Sequence, residues 1–189
     1  MLRTRVFTAT LAAAALLAGC GNERTPAPDV VTPAAPRGSK QVLTDGARFK
    51  APFNWSELGR VGRRTGGIQS NTATMAVWLY RRAEPLPEGR AALEEAKDLL
   101  VERVRRRDPS FELRSAEVVR RAGAPGVELV GRQTIGGLPF VVRSVHLFER
   151  GAEVVLDAYA RPQDFERVDA TVFRPALDSL RLRLLEKAT

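Results

Sequence analysis

The side chains of this sequence that could perform chemistry are few. His146 is the only histidine and Cys20 the only cysteine among the 189 residues. Acid–base catalysis would need the histidine beside a carboxylate, and a metal site would need further ligands close to it. With no second histidine and no other thiol, zinc sites and Cys–His nucleophiles are excluded. The residue types therefore predict no metal and no cofactor.

A serine nucleophile would require Ser144 or another serine to converge on His146. No serine of the chain lies in the G-x-S-x-G pattern of a nucleophile elbow. His146 stands between Val145 and Leu147 in an apolar stretch, which favours a packed, hydrogen-bonded core histidine. We therefore expect no catalytic residue and no enzyme.

Two further patterns resemble sites but favour structural roles. The acidic side chains of the segment 94–102 could suggest calcium ligands or paired catalytic carboxylates. Glu102 lies at helical spacing from Arg105 and Arg106, however, which is typical of a solvated, ion-paired helix face. The pairs Gly66-Gly67 and Gly136-Gly137 lack the lysine of a phosphate-binding loop, so they are predicted to be loop and hairpin glycines.

One group of arginine and aromatic residues predicts a binding surface. The glycine- and arginine-rich segment 59–67 follows the first tryptophan and is predicted to be a mobile loop. Arginine and tryptophan dominate the energetics of protein interfaces. The alternative is that the tryptophans fill the space between sheet and helix. The candidate surface consists of Trp55, Arg60, Arg63, Arg64, Trp78 and Tyr80.

The N-terminus has the layout of a secretory signal. Arg3 and Arg5 precede an apolar run that is too short to cross a bilayer, and the run ends at Leu17-Ala18-Gly19-Cys20. This ending resembles a bacterial lipobox, at which the signal is cleaved and the new N-terminal cysteine acylated. We therefore expect residues 1–19 to be removed and Cys20 to be lipidated. The protein would then be anchored in the cell membrane on its extracytoplasmic face, or in an outer membrane where one exists.

Composition separates a tether from a single domain. Residues 20–40 carry four prolines without an apolar period, so they are predicted to form an extended spacer, and residues 41–185 to form one domain. The formal charge of +8 favours attraction to anionic headgroups or wall polymers. Because we expect an exported lipoprotein, we do not expect nucleic acid as a partner.

The pattern of apolar residues predicts an α+β domain. Alternation and helical periodicity indicate strands over 46–52 and 72–82, a helix over 86–107, a four-strand meander over 111–161, a helix over 163–179 and a short strand over 180–185. Both faces of the strand at 138–150 are apolar, so we expect this strand to be central and covered on both sides. The prediction is an antiparallel β-sheet with helices on both faces.

Several of these segments resemble one known family. They are Phe49, Pro52 and Trp55; Leu86-Pro87 with Leu93-Glu94-Glu95; Gly126 and Gly131; the aromatic hairpin from Phe140 to Tyr159; and Phe173 with Ser179-Leu180-Arg181. The chain resembles the PsbP/Mog-type fold and its exported LpqN-like lipoproteins. The resemblance implies an α/β/α sandwich with an accessory, assembly or binding role and no catalytic motif. Asn54 departs from it, because a glycine commonly precedes the tryptophan.

Two functions remain open from the sequence. The first is a non-catalytic lipoprotein domain that docks a protein partner at the cell envelope. The second is a carrier or sensor that holds a small apolar or anionic ligand in a cleft between sheet and helix. A deep pocket lined by Trp78, Tyr80 and Phe148 would favour the carrier. A filled core with an exposed arginine and tryptophan patch would favour partner docking.

Overall fold

The computed structural model describes residues 31–35 and 37–184, so the predicted signal sequence and Cys20 lie outside the described residues. The strands are β1 (Ser39–Leu43), β2 (Ala47–Pro52), β3 (Ser56–Leu58), β4 (Arg64–Ser70), β5 (Ala73–Arg81), β6 (Glu112–Arg121), β7 (Ala124–Ile135), β8 (Leu138–Glu149), β9 (Ala152–Ala160) and β10 (Arg181–Leu182). The helices are α1 (Gly89–Arg107), α2 (Pro162–Val168) and α3 (Arg174–Asp178), with a π-helical turn (Asp169–Phe173) between the last two. Within this part of the chain, no helix is long and apolar enough to span a bilayer.

Two antiparallel sheets confirm the α+β class. Seven strands form the large sheet in the order β3-β4-β5-β9-β8-β7-β6, and β1, β2 and β10 form a small one. The predicted meander is present as β6 to β9, and its hairpin between β7 and β8 turns on Gly136 and Gly137. Both glycines have a positive φ, as a two-residue hairpin turn with matching twist requires.

The glycine-rich segment after Trp55 is not the loop that we predicted. Its second half forms β4, which pairs with β3 on one side and β5 on the other. Gly67 has a φ of +147°, and a Cβ there would lie 2.2 Å from the carbonyl oxygen of Met75. Glycine is therefore needed because two backbones approach closely, which composition alone cannot distinguish from flexibility.

Helix α1 starts later than its periodicity suggests. Its first residue is Gly89, three residues after Leu86. Leu86 precedes Pro87, and the proline ring disfavours helical backbone angles in the residue before it. The helix ends at Arg107 as predicted, with Arg105, Arg106 and Arg107 in its last turn, where the helix dipole favours cations.

The second predicted helix is divided into three parts. Helix α2 ends at Val168, a π-helical turn follows, and α3 continues from Arg174. Pro175 has no N–H to donate to the carbonyl of Thr171, which prevents a regular α-helical ladder at this point. The wider turn, which directly precedes Arg174, accommodates that missing hydrogen bond.

Apolar residues pack into two clusters that meet at β8. Val145 and Leu147 belong to a large cluster with Phe165 of α2 and Phe173 of the π-helical turn. Phe148 belongs to a smaller cluster that also contains Leu93 and Val101 of α1 and residues of β6 and β7. Because successive side chains of a strand point to opposite faces, the two clusters lie on opposite sides of β8.

Residues 31–35 pack on the domain, although we expected them to belong to the tether. Val31 is fully buried in the large cluster. Asn54 donates from Nδ2 to the carbonyl of Pro33 (2.8 Å) and accepts at Oδ1 from the N–H of Ala35 (3.0 Å). The amide side chain supplies both a donor and an acceptor, which the glycine expected at this position would lack. Residues 31–35 therefore make specific contacts with the domain, although they precede Gln41 in the chain.

A buried ion cluster attaches the π-helical turn to β8. Asp169 is fully buried and receives two hydrogen bonds from Arg143, Nε to Oδ1 (2.7 Å) and Nη2 to Oδ2 (2.8 Å). Arg174 donates to the same carboxylate, and Arg143 also pairs with Glu128. Burial alone would lower the pKa of Arg143, but Asp169 and Glu128 raise it above its usual value. The guanidinium therefore stays charged.

The substitution Asp169→Asn tests this cluster. It preserves the shape of the side chain but removes the charge that balances Arg143 and Arg174, and Glu128 remains as a partial substitute. We expect the free energy of unfolding, measured with urea, to fall by about 3 kcal/mol. Glu166→Gln, which breaks the exposed pair with Arg114, should cost less than about 1 kcal/mol. Equal effects of the two variants would contradict the role given to Asp169.

Candidate functional site

A cleft of about 380 Å³ opens between the C-terminal half of α1 and the large sheet. Its floor is the face of β5, β9, β8 and β7 opposite the large apolar cluster, and α1 and Phe111 form its wall. This volume is within the range of small-ligand sites. The polar lining residues are Arg63, Tyr80, Arg82, Arg103, Arg107, Gln133, Ser144, His146, Glu153, Asp157 and Tyr159.

A chain of hydrogen bonds crosses the floor of this cleft. Ser144 and His146 are two residues apart on β8 and therefore share a face, and Asp157 of β9 lies directly opposite Ser144. Ser144 Oγ is 2.5 Å from Asp157 Oδ1 and 3.0 Å from His146 Nε2. His146 Nδ1 is 2.7 Å from Glu153 Oε1, and Arg82 Nη2 is 2.9 Å from Glu153 Oε2.

The direction of these hydrogen bonds follows from the two carboxylates. Ser144 donates to Asp157, so its oxygen accepts from His146 Nε2, while Nδ1 donates to Glu153. Burial alone would raise the pKa of Glu153, but the hydrogen bond and charge of His146, with Arg82 and Arg103, lower it overall. The network is complete when the imidazole carries both ring protons and each carboxylate is ionised.

Tyr80 lies beside the same network, and its neutral phenol can donate a hydrogen bond. Burial raises the pKa of its phenol, and the nearby carboxylates of Asp157 and Glu153 raise it further. The guanidinium of Arg63 stacks over its ring, with Cζ 5.5 Å from the ring centroid. The phenol and the stacked cation thus form one edge of the cleft.

Ser144, His146 and Glu153 have the spacing of a catalytic triad, a convergence that sequence analysis did not expect. Two features of the site oppose nucleophilic attack by Ser144. The proton of Ser144 is directed at Asp157, so the hydroxyl is not oriented to give it to His146. Around Ser144, β8 is paired with both β7 and β9, so its backbone N–H groups are used within the sheet and not in an oxyanion hole.

His146 is hydrogen-bonded, as predicted, but it is not enclosed by the core. Its side chain is 12% exposed and faces the cleft. The prediction rested on its neighbours Val145 and Leu147, which point to the other side of the strand. Alternation along β8 therefore explains why an apolar sequence context contains a polar site.

Three arginines face the cleft without forming a salt bridge to a described residue. Within the ranges 31–35 and 37–184, Arg63, Arg103 and Arg107 form no ion pair, whereas Arg82 is paired with Glu153. Arg103 and Arg107 are four residues apart on α1 and hence lie on the same side of that helix. Their guanidinium groups remain available to an anion in the cleft.

An apolar groove of about 280 Å³ continues from the cleft beneath α1. The two cavities share Arg82, Arg103, His146 and Glu153, which mark the junction between them. The apolar residues that line the groove are Pro85, Pro87, Ala92, Ala96, Leu99, Leu100, Val127 and Phe148. A polar site and an apolar site are thus continuous.

The six residues of the predicted binding surface lie in four places. Trp55 is 1% exposed, donates from Nε1 to the carbonyl of Thr32 (3.2 Å) and packs edge-on against Phe173. Arg60 is exposed and pairs with Asp45. Arg64 and Trp78 are cross-strand neighbours on β4 and β5 outside the cleft, and Arg63 and Tyr80 line it.

Sequence reasoning missed most of the polar groups that the cleft brings together. Glu153, Val155, Asp157 and Tyr159 alternate with Val154 and Leu156 along β9, and this alternation was the available signal. Arg103 lies three residues after Leu100, on the side of α1 that faces the sheet, and this helical spacing was a second available signal. Among the described residues, no cluster of three or more metal-ligating side chains is present.

The lowered pKa of Glu153 predicts a specific pH dependence. A carboxyl group with a folded-state pKa below its ordinary value of 4.5 contributes stability above that value and loses it as the pH falls through the folded pKa. The difference in unfolding free energy between wild type and Glu153→Gln should therefore shrink as the pH is lowered from about 6 to about 3. Thermal or urea unfolding at each pH measures it.

Two further variants make this measurement specific. Glu149→Gln, near the end of the same hairpin, controls for the general loss of one negative charge. In a His146→Gln background, Glu153→Gln should cost less at about pH 6, because the principal partner of the carboxylate is gone. A pH-independent difference for Glu153→Gln would show that the network does not stabilise the ionised carboxylate.

Comparison with known proteins places the fold. No family model matches the chain, and no significant match exists among curated protein sequences. Three solved structures are similar: the cyanobacterial PsbP (CyanoP) of Synechocystis sp. PCC 6803, LpqN of Mycobacterium tuberculosis, described as involved in cell envelope biogenesis, and PA94 of Pseudomonas aeruginosa, a protein of unknown function.

The alignments cover most of both partners at low identity. CyanoP is 14% identical over 76% of this chain and 92% of its own, with a TM-score of 0.57. LpqN is 15% identical over 77% and 90%, also with a TM-score of 0.57. PA94 is 15% identical over 80% and 99%, with a TM-score of 0.50. The chain therefore has the PsbP-like fold that its sequence resembles, with an LpqN-like protein among its structural relatives.

Proposed function

We propose that this chain is a lipid-anchored accessory protein on the extracytoplasmic side of a bacterial envelope, and that its domain binds a small ligand. The observation that carries the proposal is the cleft between α1 and the sheet, which holds an ordered polar network and unpaired cations and continues into an apolar groove. Concave sites that combine an apolar lining with a few placed polar groups are typical of ligand binding.

The cleft favours a ligand carrier or sensor over a docking surface for a protein partner. Partner docking was expected to use an exposed patch of arginine and tryptophan, but Trp55 is buried beneath the protein's own residues 31–35. Tyr80 and Phe148 instead line the two connected cavities, and only Trp78 of the three residues expected in such a pocket is absent from them.

The envelope location rests on the signal pattern and on one structural relative. The lipobox-like sequence ends at Cys20, and LpqN, which shares the fold, is described as involved in cell envelope biogenesis.

The two apolar clusters on opposite sides of β8 support an α/β/α sandwich, in which the cleft is the space that α1 leaves open. A non-catalytic role is supported by the orientation of Ser144 towards Asp157.

Replacing the predicted lipid acceptor tests the location. Cys20→Ser removes the thiol that would receive the lipid, so the protein should move from the membrane fraction to the soluble extracytoplasmic fraction. Fractionation with an antibody, and mass spectrometry of the N-terminus, measure this. Wild type provides the reference for the membrane-bound form. Membrane retention of the serine variant, or an unmodified wild-type N-terminus, would refute the anchor.

Blocking the cleft tests ligand binding directly. Val104→Trp places a large ring at a half-buried lining position of α1, whereas Ala91→Trp places the same ring on the exposed side of that helix. We expect native mass spectrometry of protein purified from its own cells to show a bound small molecule in wild type and in Ala91→Trp. The Val104→Trp protein should lose at least about 90% of it. Absence of any bound molecule in wild type, or equal occupancy in all three, would refute a ligand-binding function.

A further inference from the structure

We propose that the ligand of the cleft is an amphipathic anion: one carboxylate or phosphate group bound by Arg63, Arg103 and Arg107, with an apolar tail in the groove beneath α1. This inference rests on the proposed function, because it presupposes that the cleft binds a small molecule. It adds the chemical class of that molecule and assigns each end to a part of the site.

The charge distribution of the cleft favours an anionic head group. Arg63, Arg103 and Arg107 form no salt bridge among the described residues, and all three line the same space. The two acidic groups of the floor are already engaged, Glu153 by His146 and Arg82, and Asp157 by Ser144. A neutral or cationic ligand would leave the arginines unpaired, whereas carboxylate or phosphate matches their paired N–H donors.

Arg103 has the most favourable position for such a contact. It lines both the cleft and the groove, so a head group beside it stands at the boundary between the polar and apolar cavities. Arg107 is one helical turn further along α1 and faces the cleft alone. A ligand that bridges the two cavities must therefore place its charged end at this pair and direct its other end towards Phe148.

The groove determines the chemistry and the length of the tail. Beyond the junction, its lining consists of aliphatic residues, prolines and Phe148, with Glu95 as its one polar member. Its volume of about 280 Å³ limits the tail to a short chain or a small ring system. Each methylene transferred from water to such a surface changes affinity by about fourfold. The affinity should therefore rise with tail length until the groove is filled and then stop rising.

The experiment uses the mature full-length chain with Cys20→Ser, so that detergent is not needed. Isothermal titration calorimetry at low salt compares probes that separate head from tail: octanoate and decanoate, octyl phosphate, octanol, and inorganic phosphate. We expect the tailed anions to bind, octanol to bind at least tenfold more weakly than octyl phosphate, and inorganic phosphate to show the weakest binding. Decanoate should bind more tightly than octanoate, by up to about sixteenfold.

Matched arginine variants assign the head-group site. Arg103→Gln and Arg107→Gln should each weaken octyl phosphate binding by roughly tenfold and leave octanol binding unchanged. Arg105→Gln, on the same helix but outside the cleft, should have no effect on either probe. All three arginines are exposed, so these variants should fold, and unchanged thermal unfolding checks this.

Failure of this inference differs from failure of the proposed function. If octanol binds as tightly as octyl phosphate, or if Arg103→Gln and Arg107→Gln bind the tailed anions normally, the anionic head group is refuted. If inorganic phosphate binds as tightly as octyl phosphate, the tail site is refuted. In each case a molecule that co-purifies with wild type and is lost in Val104→Trp would still support ligand binding. Absence of any bound molecule would refute both.

Discussion

The alternation of side chains along β8 is the constraint on which both halves of this domain depend. Arg143, Val145 and Leu147 point towards α2 and the π-helical turn, whereas Ser144 and His146 point into the cleft. A shift of one residue in its pairing would exchange these two sets and place a polar network in the apolar core. β8 is paired with both β7 and β9. The register of this strand therefore cannot change on the core side without also changing on the cleft side.

The two charged clusters on this strand have opposite consequences. Around Asp169, every charge is matched by a partner within the protein, so the cluster positions the π-helical turn. Around His146, the carboxylates are matched, but the cations of α1 and of the segment just before β4 are not. Similar residue types therefore form an internally balanced cluster on one face of the sheet and the proposed binding site on the other, and the difference lies in whether each cation has a salt bridge within the protein.

Much of the fold follows from periodicity in the sequence, because β6 to β9 and α1 have regular apolar patterns and local turns. The parts of the fold that periodicity did not predict depend on contacts between residues that are distant in the sequence. Gly67 marks a close approach of β4 to β5, and Asn54 binds residues 31–35, and neither contact has a local signature. In the site, Arg63 and Tyr80 were identified by type. Trp55 follows the alternative interpretation and packs inside the domain, beneath a segment that composition had assigned to the tether.

The docking of residues 31–35 also sets how far this domain can move from an anchor. From a lipid on Cys20, only eleven residues lead to the buried Val31. Fully extended, they span at most about 40 Å, compared with roughly 70 Å if the chain were free as far as residue 40. With the proposed lipid on Cys20, this shorter span would hold the domain closer to the bilayer than a tether that is free as far as residue 40. The reach of a ligand carrier would be limited in the same way.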